Sequence, residues 1–309
     1  MTGQNLSIHS PDCFLLAVAV ALGAKSLLSV GLSSRRRQVI DDRATYFWLT
    51  LGAHQAAVPV AHSASPAHRH IRQIGATLLE IPTVRRIRFA TKGVAIMPMK
   101  FTSDTEWMDA LAAVCRLGQA RMKEVALHTH FNTEQEITAW TANAMKALSE
   151  SGVRVRNQSV LINGANNSFG CLRRTTKKLS SLLIQPYYLY LHDMVPGCEH
   201  LRTTVRVAET LSRRLQGATA GFNTPRVVCD APGGGGKREI SSYTLYDEES
   251  GVSAWTSPTA KPGEMFFYYD PIQCLPSGGS GLWMNKAEIT KRLAKFKAEA
   301  TAKAEATRV

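Results

Sequence analysis

From about residue 71 onward, the hydrophobic positions of the chain switch repeatedly between the spacing of a buried strand and that of an amphipathic helix. Short apolar runs predict strands at 84–90, 125–130, 155–162, 184–190 and 226–229. Helical spacing predicts helices at 107–123, 168–181 and 204–216, and one more that closes at Gly152. Two capping boxes, Ser103 with Glu106 and Thr133 with Glu136, are expected to open the first helix and the one that closes at Gly152.

The order of these elements predicts the fold class. Strands that alternate with helices in this way pair in parallel and connect through right-handed crossovers. We therefore predict an α/β protein whose parallel sheet is closed or partly closed as a barrel. The active site of such a sheet lies at the carboxyl ends of its strands.

Residues 1–70 have a different pattern, with little charge and no sustained period outside an apolar run at 14–24. That run has the length of a signal-peptide core, but no basic segment precedes it. A membrane-spanning helix needs about 20 apolar residues, which the run does not provide. A signal sequence or anchor is therefore the less favoured interpretation, and the fold of 1–70 is not readable.

The carboxyl-terminal part also differs from the middle. Glycine, proline and aromatic residues between Lys237 and Asp270 predict short strands and loops. From residue 285 onward, one helical face is apolar and predicts a packed amphipathic helix rather than a membrane helix: Ile289, Leu293, Phe296 and Ala300. We predict four segments at 1–70, 71–245, 246–284 and 285–309.

Composition and charge narrow the function classes. The chain is 44% hydrophobic and 20% charged, as expected for a globular protein rather than a disordered one or a membrane bundle. Its formal net charge of +13 would allow binding to nucleic acid, but the basic clusters are scattered and no nucleic-acid-binding motif surrounds them. We expect no specific nucleic acid and no membrane as partner, and the sequence leaves a homo-oligomer open.

The cysteines and histidines predict neither a disulfide scaffold nor a metal site. Consecutive cysteines lie at least 27 positions apart, so reduced thiols and an intracellular protein, cytoplasmic or mitochondrial, are expected. Four histidines fall between residues 53 and 70, where neighbouring alanine, serine and proline favour a loop over a metal site: His54, His62, His68 and His70.

Polar residues lie in, end or follow the predicted strands: Asn157 and Gln158 lie in one strand, and His128, His130, His192, Asp193 and Asp230 end or follow others. Because the carboxyl ends of parallel strands meet at one edge of the sheet, these side chains predict a site for a small molecule. The alternative for any single one is structural, since an aspartate at a strand end often caps the next helix.

The segment Asp-Ala-Pro-Gly-Gly-Gly-Gly-Lys at 230–237 is the most specific local signal. Its four glycines allow a ligand to approach the backbone, and Lys237 offers either a charge for phosphate or an amine for a Schiff base. It is not a phosphate-binding Walker loop, because Lys237 is followed by Arg238 rather than by serine or threonine. A glycine-rich hairpin with a solvated lysine is the alternative.

This segment, with Val228 and Cys229 before it, closely resembles the signature of the lysine 2,3-aminomutase family, radical S-adenosylmethionine enzymes that use pyridoxal phosphate (PLP). Five further segments resemble family motifs in the same order: Arg-Ile-Arg-Phe-Ala-Thr-Lys-Gly at 86–93, His-Thr-His-Phe-Asn at 128–132, Arg-Asn-Gln-Ser-Val-Leu at 156–161, Pro-Tyr-Tyr-Leu-Tyr at 186–190 with Asp193, and Glu-His-Leu-Arg-Thr at 199–203. The similarity covers about residues 71–270, and 241–271 is most like fungal members.

The resemblance implies a fold and a set of residue roles. The fold is an incomplete parallel (βα) barrel of the radical S-adenosylmethionine type with a C-terminal extension. Lys237 would hold PLP as an aldimine until substrate lysine displaces it, beside Gly233, Gly234, Gly235 and Gly236. Asp193 and Asp230 match the pair that holds the side-chain ammonium of the substrate. His130 and Gln158 match positions near S-adenosylmethionine and the cofactor.

The implied reaction is an isomerisation in which an adenosyl radical moves the amino group of lysine from C2 to C3. In the family a [4Fe-4S] cluster held by a CxxxCxxC loop generates that radical. This sequence contains no such loop, and Cys13 is the one cysteine before residue 71. We therefore expect no turnover by this chain alone. The alternatives are a non-catalytic family remnant and a PLP- or amine-binding protein, with a basic nucleic-acid binder less favoured.

The change of pattern near His70 suggests a truncated or mis-spliced product with an unrelated N-terminus, as a hypothesis. The first family-like strand would then lack a parallel neighbour unless residues 1–70 supply one.

Overall fold

The computed structural model describes residues 55–59, 68–259 and 261–306. Two compact units divide the chain. The described part of the first comprises residues up to His130, together with 137–156 and 182–184, and the second comprises 131–136, 157–181 and 185 onward. The apolar run at 14–24, Cys13, His54 and His62 lie outside the described residues.

The main sheet has seven strands in chain order. They are β1 (Gln55–Pro59), β2 (Arg86–Ala90), β3 (Glu124–Thr129), β4 (Arg154–Val160), β5 (Ile184–Tyr190), β6 (Arg226–Ala231) and β7 (Gly236–Glu239). Strands β1, β2 and β3 pair in parallel, as do β5 and β6, whereas β7 runs antiparallel to β6. The predicted α/β class with an incomplete parallel sheet is therefore confirmed.

Strand β1 pairs with the edge of β2, for which the sequence had predicted no neighbouring strand. Gln55 lies opposite Arg86 and Pro59 lies opposite Ala90, so residues 55–59 supply the parallel neighbour of β2. The sequence Gln-Ala-Ala-Val-Pro gave no strand signal because it neither alternates nor forms a long apolar run. The edge of β2 is covered within the described chain.

Helices of the first unit are α1 (His68–Glu80), α2 (Gly93–Ile96), α3 (Lys100–Ser103), α4 (Thr105–Ala120) and α5 (Ala139–Glu150). Their buried faces carry residues such as Leu78, Leu111 and Leu148, which are at most 1% exposed. Helices α1 and α4 approach so closely that a Cβ on Gly75 would lie 2.3 Å from Cγ1 of Val114.

Both predicted capping boxes were wrong in their details. Helix α4 begins at Thr105, and its cap is Asp104, whose side chain accepts a hydrogen bond from the Trp107 amide at 3.0 Å. Ser103 instead ends the short helix α3. A charged carboxylate one residue closer to the helix satisfies the free amide, so the Ser103 box does not form.

The second box is displaced by five residues. Glu136 does accept a hydrogen bond from the Thr133 amide at 3.0 Å, but it closes a single 3-10 turn at Glu134–Glu136. Helix α5 begins at Ala139 behind a capping box of Thr138 and Thr141. Two β-hydroxyl residues thus replace the serine/threonine and glutamate pair of the usual pattern.

The second unit contains helices α6 (Phe169–Ser181) and α7 (Val205–Leu215) and a separate three-stranded sheet. That sheet is formed by β8 (Leu245–Asp247), β9 (Val252–Ser257) and β10 (Lys261–Tyr269), all antiparallel. Short strands were predicted here, but their antiparallel pairing was not. The sheet packs on residues of β5, β6 and α7 through Trp255, Phe266 and Tyr268.

After the short helix α8 (Gly279–Met284), the chain ends in α9 (Lys286–Ala306). Ile289, Phe296 and Ala300 are buried, and Leu293 packs partly against the same cluster as Val252. The predicted packed amphipathic helix is therefore confirmed. No helix of the described ranges is long and apolar enough to cross a bilayer. The segment limits at 70, 245 and 284 stay predictions.

Candidate functional site

The hairpin of β6 and β7 brings a lysine and an aspartate together. Asp230 lies opposite Lys237 in the antiparallel pair, so both side chains project from the same face. The Lys237 Nζ is 3.6 Å from Oδ2 of Asp230. The lysine side chain is 36% exposed and the aspartate side chain 16%, so the amine is reachable while its carboxylate partner is largely shielded.

Tyr190, the last residue of β5, completes the surroundings of the lysine. The Lys237 Nζ lies 5.5 Å from the centroid of the Tyr190 ring, within the range of a cation–π contact. Gln158 on β4 donates a hydrogen bond from Nε2 to the Tyr190 hydroxyl at 3.3 Å. Contacts thus connect Lys237 to Tyr190 and Tyr190 to Gln158. Of these residues, Lys237 and Gln158 were predicted site residues.

Tyr190 itself was missed as a site residue, although it lies within a family-like segment. A signal was available, because Tyr188 and Tyr190 alternate along the strand, and two aromatic residues on one face of a strand end are typical of a ligand-facing surface. Their ring centroids are 5.5 Å apart.

The four glycines are explained by the shape of the hairpin. Gly233, Gly234 and Gly236 have φ values of 84°, 96° and 74°, which residues with a side chain rarely adopt. Gly235 has no such φ, but a Cβ on it would lie 2.6 Å from Cγ of Phe266. The turn and this close packing each require glycine without reference to a ligand. The position of these four glycines beside the cofactor stays a prediction.

Asp193 lies in the loop after β5 and is exposed. Its backbone carbonyl accepts a hydrogen bond from the Val195 amide at 2.8 Å, and Nδ1 of His192 lies 2.8 Å from the same oxygen. Burial first, and then the charges of Asp230 and Asp193, raise the pKa of the Cys229 thiol. The predicted role of Asp193 and Asp230 as a substrate-binding pair stays a prediction.

The two histidines of β3 differ in environment. His128 is 5% exposed, and burial together with the charges of Arg88 and Arg156 lowers its pKa to about 3. It is therefore a neutral imidazole at physiological pH. His130 follows the strand, is half-buried and belongs to the first unit, whereas Gln158, Asp193 and Lys237 belong to the second. The predicted cofactor contact of His130 stays a prediction.

The described residues do not fit an iron–sulfur cluster. No group of three or more histidine, cysteine or acidic side chains in 55–59, 68–259 and 261–306 could hold a metal ion. Burial raises the pKa of Cys115 to about 11 and raises those of Cys171, Cys229 and Cys274. Thiols in such surroundings resist the deprotonation that iron ligation needs. His68 is engaged with Glu106 at 3.1 Å.

The fold and this site define an α/β protein that presents an accessible lysine beside a carboxylate at the strand ends of its sheet. No protein-family model matches the chain. It is 34% identical over 222 residues to the L-lysine 2,3-aminomutase of Clostridium subterminale, covering 72% of this chain and 50% of that protein. This chain belongs to the lysine 2,3-aminomutase family.

Other relatives show how far the similarity extends. A putative L-lysine 2,3-aminomutase of Aquifex aeolicus is 29% identical over 240 residues, covering 75% of this chain and 62% of that protein. The glutamate 2,3-aminomutase of Clostridioides difficile is 32% identical over 171 residues, covering 55% and 38%. The chain thus spans about half the length of these relatives, and similarity at this level does not choose between two substrates.

Among solved structures, a radical SAM methyltransferase from Sphaerobacter thermophilus is similar in part. Its TM-score is 0.37 at 13% identity, and the match covers 64% of this chain and 76% of that one.

Proposed function

We propose that this chain binds PLP covalently through Lys237 and binds an amino acid with a second, positively charged amino group, such as lysine. The observation that carries the proposal is the 3.6 Å contact between the Lys237 Nζ and Asp230 in a hairpin that belongs to the family signature. When bound, the cofactor supplies an aldehyde carbon that takes up an amino nitrogen covalently.

Asp230 has a part in both states of Lys237. While the lysine amine is charged, the carboxylate at 3.6 Å stabilises that charge. If Lys237 held the cofactor, its nitrogen would no longer offer Asp230 a free ammonium group, and the carboxylate would pair with the side-chain ammonium of a ligand. Because Asp230 is mostly shielded from water, its attraction for a ligand ammonium is stronger than that of a fully exposed carboxylate.

Asp193 supplies a second negative charge on the same part of the sheet. Two carboxylates favour a ligand with a positive side chain and disfavour glutamate, whose side-chain charge has the same sign. This charge pattern supports lysine rather than glutamate as ligand. Tyr190 would present its ring to the bound cation, and Gln158 holds the tyrosine hydroxyl.

The radical step lies outside the proposal. The described residues do not fit an iron–sulfur cluster, so no step of the proposal passes through one. We infer that cofactor and amine binding are retained separately from turnover, which makes a PLP- and amine-binding protein the function that the site supports.

An absorbance experiment tests the cofactor half of the proposal. The purified chain mixed with PLP should develop the visible absorption band of lysine-bound PLP, and Lys237→Ala should abolish it. Lys291→Ala, which removes an exposed lysine of α9, serves as the matched control and should keep the band. A band that survives in Lys237→Ala, or none in the unaltered chain, would contradict the assignment.

A titration tests the amine half. Lysine should change the spectrum of the loaded chain at lower concentration than 2-aminohexanoate, which has the same carbon chain without the second amine. Asp193→Asn should reduce that preference about twofold to fivefold, because an ion pair at an exposed carboxylate contributes roughly 0.5–1 kcal/mol. Equal preference in Asp193→Asn and the unaltered chain would remove Asp193 from the site.

A further inference from the structure

Strand β10 contacts both of the loops that carry candidate site residues. Near its start, Lys261 donates a hydrogen bond from Nζ to the Gly233 carbonyl at 3.1 Å. Near its end, Tyr268 donates a hydrogen bond from its hydroxyl to the His192 carbonyl at 2.8 Å. One strand of the small sheet is thus bonded to the glycine loop before Lys237 and to the loop that carries Asp193.

We propose that β10 positions the two halves of the amine site, with Tyr268 as the positioning residue for Asp193 and Lys261 with Phe266 for Lys237. None of the three is placed in contact with substrate or cofactor. The inference rests on the proposed function, because it assigns these residues to the same site.

The contact with the glycine loop has two parts. Phe266 is 5% exposed, and its ring occupies the space where a Cβ on Gly235 would lie. Lys261 holds the turn from its other end and is also 3.3 Å from Glu264, which orients its amine. The loop cannot move toward β10 because of the ring, and the hydrogen bond opposes movement away. Lys237 follows immediately on β7.

The contact with the Asp193 loop is buried. Tyr268 is 1% exposed, and its ring lies 5.0 Å from the guanidinium carbon of Arg202. A buried hydroxyl needs a partner, and the His192 carbonyl provides it in the peptide that joins His192 to Asp193. The Tyr269 amide adds a contact at 3.3 Å to the Met194 sulfur on the other side of Asp193.

The two faces of β10 make it a rigid support. Phe266 and Tyr268 point to the core formed with Leu191 and Ala231, which are the residues next to the two loops. Phe267 and Tyr269 on the opposite face pack against the cluster that contains Phe296 of α9. Because both faces are packed from Met265 to Tyr269, displacement of a loop bonded to this half of the strand is resisted by several contacts at once.

Amide hydrogen exchange on the full chain without cofactor tests the support directly. Tyr268→Phe keeps the ring and removes one hydrogen bond, so exchange at 191–195 should rise about fivefold while 232–237 stays unchanged. Lys261→Met should raise exchange at 232–237 by a similar factor and leave exchange at 191–195 unchanged. Lys261→Arg keeps a hydrogen-bond donor, so exchange at 232–237 should stay as slow as in the unaltered chain. The control is Tyr269→Phe, whose hydroxyl makes no hydrogen bond within the described ranges.

A second measurement separates positioning from a purely structural role. In the PLP-loaded chain, Tyr268→Phe should keep the absorption band but reduce the preference for lysine over 2-aminohexanoate about twofold, because it acts only through the position of Asp193. Unchanged exchange in both variants overturns the inference, and so does altered exchange with an unaltered preference. If the unaltered chain binds no PLP, the proposed function and the positioning role both fail, whereas exchange still decides whether β10 holds the two loops.

Discussion

Individual residues on the main sheet have properties set by their nearest neighbours, and His128 illustrates this at the scale of one side chain. The imidazole is buried, and Arg88 and Arg156 add positive charge around it. Burial and like charge both disfavour protonation, so the pKa falls to about 3 from the ordinary value of 6.5. Folding therefore selects the neutral ring.

This shift makes a pH-dependent prediction. As pH falls from 6.5 toward 3, the unfolded chain takes up a proton at His128 and the native chain does not, so stability falls. Between pH 7 and pH 5 the unaltered chain should lose about 2 kcal/mol more than His128→Asn, as measured by urea unfolding. The exposed His200→Asn is the control and should keep the original pH dependence. Identical pH profiles for His128→Asn and the unaltered chain would contradict the assignment.

The candidate site was partly predictable from residue types alone. Asp230 and Lys237 are close in sequence and lie where polar residues follow a strand, so their meeting was expected. Tyr190 was not singled out, because its role depends on which strands are neighbours. The contact of Lys261 with Gly233 joins residues that lie far apart in the chain, and no local pattern in the sequence encodes it.

At the scale of secondary-structure elements, strands were predicted better than helix starts. Strand β5 spans 184–190 as predicted, because its residues form a mostly apolar and aromatic run of the length of a strand. Helix α4 begins two residues early because Asp104 competes successfully with Ser103 for the free amides. The antiparallel sheet of β8–β10 was not predicted, since pairing among short strands depends on tertiary packing.

The start of α7 shows how one element depends on another. Asp270, just after β10, accepts a hydrogen bond from the Val205 amide at 2.9 Å and one from the Tyr246 hydroxyl at 2.7 Å. The carboxyl is 4% exposed, and burial raises its pKa to about 7. Near neutral pH this contact between two elements is thus close to its titration point.

The raised pKa predicts that stability declines as pH rises. The native chain keeps the Asp270 proton up to about pH 7, whereas the unfolded chain releases it near 3.8, so this contribution is lost between those values. Asp270→Asn removes the titration. Unfolding in urea should show the unaltered chain losing on the order of 3 kcal/mol relative to Asp270→Asn between pH 4.5 and 7.5. The exposed Asp109→Asn is the control and should show no such difference. If the difference in unfolding free energy between Asp270→Asn and the unaltered chain did not change with pH, the assignment would be contradicted.

At the scale of the whole molecule, family membership and activity are separate matters. The chain matches about half the length of the Clostridium subterminale relative, so membership of the family does not carry the activity of the whole relative with it. The fold class followed from the strand and helix order because the parallel strands carry strong local signals. Strand β1 was not predicted, because its five residues do not alternate between polar and apolar side chains and so give no local strand signal.

For the whole chain we expect binding without turnover. After anaerobic reconstitution with iron, sulfide, S-adenosylmethionine and PLP, the chain should convert no lysine to β-lysine, since no described cysteine environment suits a cluster. Product analysis by chromatography would measure this, with the Clostridium subterminale enzyme as positive control. Detected β-lysine above the blank would contradict the prediction.

The close packing of Gly235 on Phe266 has a consequence for the evolution of this hairpin. An alanine at position 235 would collide with the ring, so the two positions are not free to vary independently. A Cβ at 235 would also lie 2.8 Å from the Cβ of Ala231, so lineages that gain a side chain at 235 should carry a smaller residue at 266 together with glycine at 231. Sequences of relatives should therefore show linked substitutions at these positions rather than a change at one position alone.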